Sequence, residues 1–241
     1  MIFFAENIYK NQRCKKAEIV IETKLEGHFI TKDDINNLLT ENGNKPIIGT
    51  KFNFLNFAKL ERNILKNRLV KSCQISRTLG GNLLIKVTQK NPIARIVSLA
   101  GSSEKFEGFY LDDEGGLFPL SPNFTKRVVL VSGKYLVGKR NLKLNKDKNI
   151  IDFIAKINAD SFWNANITHI IIDEDQNINF LPLVGDFLFE YGIPMEDDFE
   201  SKMRKIKVFY SQISAEDKER YQMISVKYQN QIVCQLKDIT I

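Results

Sequence analysis

Histidine, cysteine and tryptophan are scarce in this sequence, which limits the chemistry that it can support. The 241 residues include two histidines, three cysteines and one tryptophan. No run of about 18 apolar residues occurs, so the given chain has no stretch that would span a bilayer as a helix. The hydrophobic fraction of 43% is nonetheless ordinary. It allows one or two domains with real hydrophobic cores.

The motifs of common enzyme classes are also missing. We find no P-loop and no GxGxxG, GxSxG or HExxH pattern. His28 adjoins a turn glycine and His169 lies in an apolar strand pattern, so both are interpreted as structural or surface residues. Acidic clusters begin at Asp112, Asp173 and Glu196, and turn or helix-cap chemistry accounts for them better than a metal site does. We therefore expect no catalytic residue, no metal and no cofactor.

The three cysteines match no zinc or CxxC spacing. They are Cys14, Cys73 and Cys234, and an odd number cannot be fully paired within one chain. One disulfide in an oxidising compartment and three buried thiols both remain open.

Positive charge is concentrated in the first part of the chain. Up to Arg95 there are 17 lysines and arginines against 8 acidic residues, whereas from Ile96 onward there are 18 against 21. This asymmetry indicates a basic half that faces nucleic acid or an anionic membrane surface, unless it is simply solvated. Phe52, Phe54 and Phe57 lie among lysines, but their spacing favours packing over nucleic-acid binding.

The first ninety residues predict a domain with the order strand, helix, helix, strand, strand. Apolar alternation over residues 17–25 indicates the first strand. A capping-box pattern at Thr31 and a capping residue at Asn56 each precede a helical apolar pattern. Alternating residues on both sides of Gly80-Gly81 then predict a hairpin.

The rest of the chain is predicted to be rich in strands. Two helices interrupt the strands, one at residues 150–157 and one capped by Asp197 with Glu200. Residues 221–228 and 231–236 form a predicted C-terminal hairpin. We therefore predict an α+β chain with a membrane-proximal segment at 1–16, a β-α-α-β-β domain at 17–91 and a β-rich domain with helices at 92–241.

Several short segments, in a fixed order, carry a resemblance to one protein family. They are the β-α-α-β-β order, Val87-Thr-Gln-Lys-Asn-Pro92, Tyr110-Leu-Asp112 with Phe118-Pro-Leu120, Val128-Val-Leu-Val-Ser-Gly133 and Gln231-Ile-Val-Cys234. Over residues 14–237 the chain resembles the extracytoplasmic part of bacterial cell-division proteins of the FtsQ/DivIB family, and most closely their Bacteroidota branch. Each motif is a turn or a strand edge, so their order and spacing carry the resemblance.

The resemblance implies a non-enzymatic scaffold held in the inner membrane by a single span, with this chain on the periplasmic side. It also implies a POTRA domain and a following β domain, which binds FtsB- and FtsL-like division proteins by strand addition at the C-terminal sheet edge. On this basis we expect Lys227 and Tyr228 to contact the partner. We expect the adjoining residues to border or form the edge, namely Asn230, Gln231, Ile232 and Val233.

The basic residues closest to the membrane in this scheme are expected to contact anionic headgroups. They are Lys10, Arg13, Lys15 and Lys16. The alternatives are another POTRA-bearing protein of envelope assembly or secretion, an enzyme of unknown type, or a nucleic-acid binder. We expect no nucleic-acid partner.

Overall fold

The structure, a computed structural model, describes residues 12–97 and 108–237. The chain divides into two compact units. The first extends to Asn91 and includes Ser121–Lys126, and the second comprises Pro92–Leu120 and the chain from Arg127 onward. The α+β class is confirmed, with a β-α-α-β-β unit followed by a β-rich one. None of the helices formed by the described residues is long and apolar enough to cross a bilayer.

The first unit packs helices against a three-stranded sheet. Its elements are β1 (Ala17–Glu22), α1 (Lys32–Leu39), α2 (Phe57–Leu65), β2 (Val70–Arg77) and β3 (Leu83–Gln89). The strand order is β1-β3-β2, with β1 parallel and β2 antiparallel to the central β3. The first and last strands of the unit are therefore neighbours in the sheet, although both helices lie between them in the sequence.

Both helices of the first unit begin at side-chain caps that the sequence predicts. The Thr31 hydroxyl accepts from the Asp34 N–H at 3.1 Å, and the Asp34 carboxylate accepts from the Thr31 N–H at 2.9 Å. The Asn56 side chain accepts from the Lys59 N–H at 3.0 Å. These caps satisfy N–H groups that the first helical turn leaves unpaired. Each helix then buries one apolar face, formed by Ile35, Leu39, Leu60 and Ile64.

Ser121–Lys126 lies with the first unit, whereas the sequence predicts it within the second domain. The Ser121 hydroxyl donates to the Phe29 carbonyl at 2.6 Å, and the Phe124 ring lies 5.5 Å from the Phe29 ring. The Lys126 ammonium donates to the Asn91 side chain at 2.9 Å. These contacts join residues that are far apart in the chain, so no local sequence pattern predicts them.

The second unit is built on one large sheet. Its strands are β4 (Pro92–Ile96), β5 (Phe109–Asp112), β6 (Leu117–Pro119), β7 (Val129–Ser132), β8 (Ile167–Ile172), β9 (Ile178–Pro182), β10 (Leu188–Gly192), β11 (Tyr221–Ser225) and β12 (Val233–Leu236). Their order is β12-β11-β10-β9-β8-β7-β4-β5-β6. The β4–β7, β7–β8 and β10–β11 pairs are parallel, and the other pairs are antiparallel.

Helices contribute to the core on one face of this sheet. They are α3 (Lys148–Ala159), α4 (Ser161–Asn166), α5 (Phe199–Gln212) and α6 (Ala215–Arg220). In β8, for example, Ile170 and Ile172 are fully buried, whereas His169 and Ile171 on the other face are half-buried. The same alternation in neighbouring strands gives the sheet one fully buried face.

Some elements of the second unit differ from the sequence-based prediction. The strands β9 and β10 and the short helices α4 and α6 were not predicted. The helix α5 begins after Asp198 rather than Asp197, and no side-chain cap closes it. The Asp198 carboxylate instead accepts from the Tyr191 hydroxyl at 2.6 Å and pairs with Lys202 at 2.6 Å.

Candidate partner-binding edge

The strand β12 lies at one end of the large sheet, and among the described residues it pairs only with β11. All four of its residues are exposed. The Lys237 N–H, just past the strand, donates to the Arg220 carbonyl at 2.9 Å. In an antiparallel pair, main-chain groups alternate between facing the partner strand and facing away. The N–H and C=O groups of Leu236 and Cys234 therefore face away from β11.

Lys227 and Tyr228 lie in the turn that precedes β12. The Lys227 ammonium donates to the Glu190 carboxylate at 3.1 Å and lies 5.3 Å from the centre of the Tyr228 ring. The hydrogen bond and the negative charge of Glu190 raise the pKa of Lys227. Burial would raise the pKa of Glu190, but the hydrogen bond from Lys227 and its positive charge lower it. Both groups therefore stay ionised at neutral pH.

The helix α5 holds this turn in place. The Lys205 ammonium donates to the Val226 carbonyl at 3.2 Å and to the Tyr228 carbonyl at 2.8 Å. Burial lowers the pKa of Lys205, since the helix and the turn exclude part of its water. Asn230 adopts a left-handed conformation with φ +59°, which asparagine tolerates better than most residues do. The turn is thus fixed by backbone geometry and by a basic side chain beneath it.

An open cleft of about 920 Å³ lies between the start of α5 and this turn. Its walls include Met195, Lys202, Lys205, Tyr228 and Asn230. The Tyr228 side chain is 45% exposed. The turn that leads into β12 therefore also forms one wall of a concave surface that carries both basic and acidic side chains besides Tyr228.

The structure distributes the predicted partner-binding residues over three positions. Lys227, Tyr228 and Asn230 line the cleft, whereas Gln231 is exposed and Ile232 packs partly against the core. Val233 begins β12. The prediction of the edge omitted the rest of that strand, namely Cys234, Gln235 and Leu236. These residues lie within the strand that the sequence predicts at 231–236. That strand pattern could therefore have been used to include them in the predicted edge.

The predicted membrane-proximal basic residues belong to the first unit. The Arg13 guanidinium donates to the Gly49 carbonyl at 2.7 Å, and Lys15 and Lys16 are exposed. Lys10 and the rest of residues 1–11 lie outside the described residues.

The three cysteines all lie within the described residues, and all are free thiols. Cys14 is buried, Cys73 is half-buried and Cys234 is exposed. The structure therefore contains no disulfide between these three residues.

In the second unit, His169 and the carboxylates of Asp112 and Asp173 have structural partners. His169 Nε2 shares a hydrogen bond of 2.8 Å with the Ser132 hydroxyl, and burial lowers the pKa of His169. Ser132 is only 1% exposed, which leaves little access to its hydroxyl. The carboxylates of Asp112 and Asp173 accept N–H groups of their own turns. No cluster of three or more potential metal ligands occurs among the described residues.

Comparisons with known proteins identify both parts of the chain. Residues 91–235 match the family model described as FtsQ/DivIB, C-terminal related, and residues 12–88 match a POTRA-like domain. No curated protein sequence matches the chain. Proteins of the FtsQ/DivIB family work in a membrane-associated complex of the cell-division machinery. The matched region covers more than half of the sequence, and the chain therefore belongs to the FtsQ/DivIB family, with a POTRA-like domain before the C-terminal domain.

Proposed function

We propose that the chain is a non-enzymatic division scaffold that binds FtsB- and FtsL-like partners by strand addition at β12. One observation carries this proposal. The main-chain groups of Cys234 and Leu236 face away from β11 at the end of the sheet. Such groups are a template for pairing with another chain, and a partner strand can satisfy them.

The two ends of the sheet differ in a way that favours β12. The opposite end is β6, which has three residues and finishes at Pro119. Proline lacks an N–H group, and short strands with proline protect a sheet edge against pairing. The strand β12 has four residues and no proline. A partner strand therefore finds more main-chain donors at β12 than at β6.

Main-chain pairing along so short a strand cannot supply the whole affinity. Each net hydrogen bond contributes about 1 kcal/mol, and association itself costs several kcal/mol. Side-chain anchors are needed as well, and aromatic residues often serve as such anchors. Tyr228 is half-exposed beside the cleft, and Val233 and Leu236 are exposed on the strand. We propose that the partner fills the cleft and covers these three side chains.

The same proposal places the chain on the periplasmic side of the inner membrane, with a single membrane span before the first unit, because the family resemblance implies that arrangement. The family match also favours a scaffold over the alternative of another POTRA-bearing protein of envelope assembly or secretion, since residues 91–235 match an FtsQ/DivIB C-terminal domain. Enzymatic and nucleic-acid-binding roles have no comparable support.

Proline at Cys234 tests the edge directly. The Cys234 N–H faces away from β11, so Cys234→Pro should leave the β11–β12 pairing intact while removing one donor to the partner strand. We expect affinity for the purified periplasmic segments of the cell's own FtsB- and FtsL-like proteins to fall about five- to tenfold, which corresponds to about 1–1.4 kcal/mol for one lost hydrogen bond. Isothermal titration calorimetry measures this change.

The matched control is Cys234→Ser, which alters the same side chain but keeps the N–H group. It should bind as the unchanged chain does, and both variants should melt within a few degrees of it. Equal affinity of the proline variant, with intact folding, would falsify strand addition at β12.

The cleft contribution is tested with Lys227→Glu combined with Tyr228→Ala. Removing an aromatic anchor and reversing a neighbouring charge should weaken binding of the same segments about 30-fold, or roughly 2 kcal/mol. The control is Lys143→Glu, because Lys143 is exposed near the other end of the sheet, beside the contact of Asn141 with Gly116. Unchanged affinity of the double variant in calorimetry would remove Lys227 and Tyr228 from the interface.

A further inference from the structure

Three large apolar side chains are unusually exposed at one end of the first unit. Leu79 is 88% exposed, Phe54 is 74% exposed and Ile48 is 62% exposed. Among the described residues of this unit, the only other exposed large apolar side chain is that of Leu65, at 45%. Single exposed apolar residues are common on protein surfaces. A group of them around one segment calls for a specific explanation.

Main-chain contacts show that these residues flank one segment, residues 12–16. On one side, Arg13 forms a bridge with Lys51, and the Gly49 N–H donates to the Cys14 carbonyl at 2.8 Å. On the other side, the Lys15 N–H donates to the Gly81 carbonyl at 3.0 Å. The loop that carries Ile48 and Phe54 and the hairpin turn that carries Leu79 therefore lie on opposite sides of this segment.

The segment between the apolar side chains is basic. Arg13, Lys15 and Lys16 are exposed, and Lys51 is half-buried beside Arg13. Among the described residues, the acidic residues closest in sequence to these segments are Glu18, Glu41 and Glu61. Glu41 is paired with Lys45 at 2.7 Å, so it adds little net negative charge. We call the three apolar side chains, the segment 12–16 and Lys51 the basal patch.

Leu65 marks the opposite end of the unit. The helix α2 ends at Leu65, and β2 begins nearby at Val70, which pairs with Gln89 at the end of β3. The hairpin turn with Leu79 lies at the other end of the same two strands. Exposed apolar side chains are therefore concentrated at the end that carries the basic segment.

We infer that the basal patch binds the surface of an anionic lipid membrane. Phe54, Leu79 and Ile48 enter the boundary between headgroups and acyl chains, and the basic side chains contact anionic headgroups. Charge complementarity favours this partner, because basic residues surrounding aromatic and aliphatic side chains are typical of surfaces that lie on anionic membranes. The inference goes beyond binding at β12 and does not depend on it. It adds apolar insertion to the purely electrostatic contact expected of Arg13, Lys15 and Lys16.

Vesicle co-sedimentation tests the apolar part of the inference. The probes are vesicles of phosphatidylethanolamine with about one quarter phosphatidylglycerol, and neutral phosphatidylcholine vesicles for comparison. The full chain should bind the anionic vesicles, and the variant with Phe54→Ser and Leu79→Ser should bind them at least about tenfold more weakly. The matched control Leu65→Ser should bind as the unchanged chain does.

A second pair of variants tests the electrostatic part. Lys15→Gln with Lys16→Gln should weaken binding to the anionic vesicles, and added salt should weaken it further. The control is Lys24→Gln with Lys32→Gln, because both lysines are exposed and follow the far end of β1. It should leave binding unchanged.

Fluorescence keeps the test decisive if a serine variant folds poorly. Tryptophan in the variant Phe54→Trp should shift to shorter wavelength on anionic vesicles, whereas tryptophan in Leu65→Trp should not. The inference would be overturned by no binding of the unchanged chain, by loss of binding only in the lysine variants, or by equal binding to neutral vesicles. It would also fail if Phe54→Ser with Leu79→Ser weakened only binding of the partner segments, since the patch would then be a protein-binding surface. Cys234→Pro should bind vesicles normally, which separates this inference from the proposed function.

Discussion

Replacing Gly133 by alanine is expected to destabilise the second unit by about 4 kcal/mol. Gly133 follows β7 with φ +130°, a conformation that costs other residues roughly 1–3 kcal/mol. A Cβ at this position would overlap the backbone of Ile172 at the end of the neighbouring strand β8. Backbone cannot move aside as a flexible side chain can, so the adjacent strands must separate, which costs a further 1–3 kcal/mol or so. Urea unfolding followed by circular dichroism measures the change.

Gly138 provides a matched control for this substitution. It also has a positive φ, +73°, but a Cβ there would meet no atom within 4 Å. The substitution Gly138→Ala should therefore cost only the conformational strain, about 1 kcal/mol. If both alanine variants lost the same stability, the close approach of Gly133 to β8 would not be the cause.

Replacing Phe153 by alanine should cost the second unit about 3–5 kcal/mol, the usual range for a buried phenylalanine. The Phe153 ring on α3 is almost fully buried. It lies 4.8 Å from the Tyr191 ring on β10 and 5.6 Å from the Phe199 ring on α5. The substitution leaves a cavity where these three elements meet, so the melting temperature should fall by about 10 °C. Differential scanning calorimetry measures this fall.

Phe153→Leu is the control because it fills much of the same volume. It should cost less than half as much as alanine, since most of the apolar contact remains. The alanine variant should also weaken partner binding when warmed, because α5 carries the Lys205 ammonium that holds the turn before β12. A loss below 1 kcal/mol would contradict a central role for this aromatic contact.

Local chemistry made several parts of the fold predictable. Thr31 and Asn56 cap their helices through atoms within three residues of themselves, so the sequence contains both partners. The turn at Gly80-Gly81 is similarly local, because the Thr78 N–H donates to the Asn82 carbonyl at 2.9 Å. The β-α-α-β-β order followed from such signals, since each depends on a short stretch of chain.

Other elements could not be predicted because their partners lie far away in the chain. The strands β9 and β10 are short. Their residues alternate between buried and half-buried, and this pattern of burial arises only when the strands lie in the folded sheet. The segment Ser121–Lys126 packs on Phe29, about 92 residues earlier in the sequence for Ser121. Asp198 also adjoins a predicted helix start, yet its carboxylate contacts Tyr191 instead of capping the helix.

The sequence by itself determined the local elements, the basic first half, the scarcity of catalytic side chains and the family resemblance. Only the tertiary structure decided the order of the strands in the large sheet and the position of Lys205 against the turn that precedes β12. It also decided that Ile48, Phe54 and Leu79 gather around residues 12–16. The physical reason is that caps and turns join near neighbours, whereas sheet order and surface patches depend on contacts between residues distant in sequence.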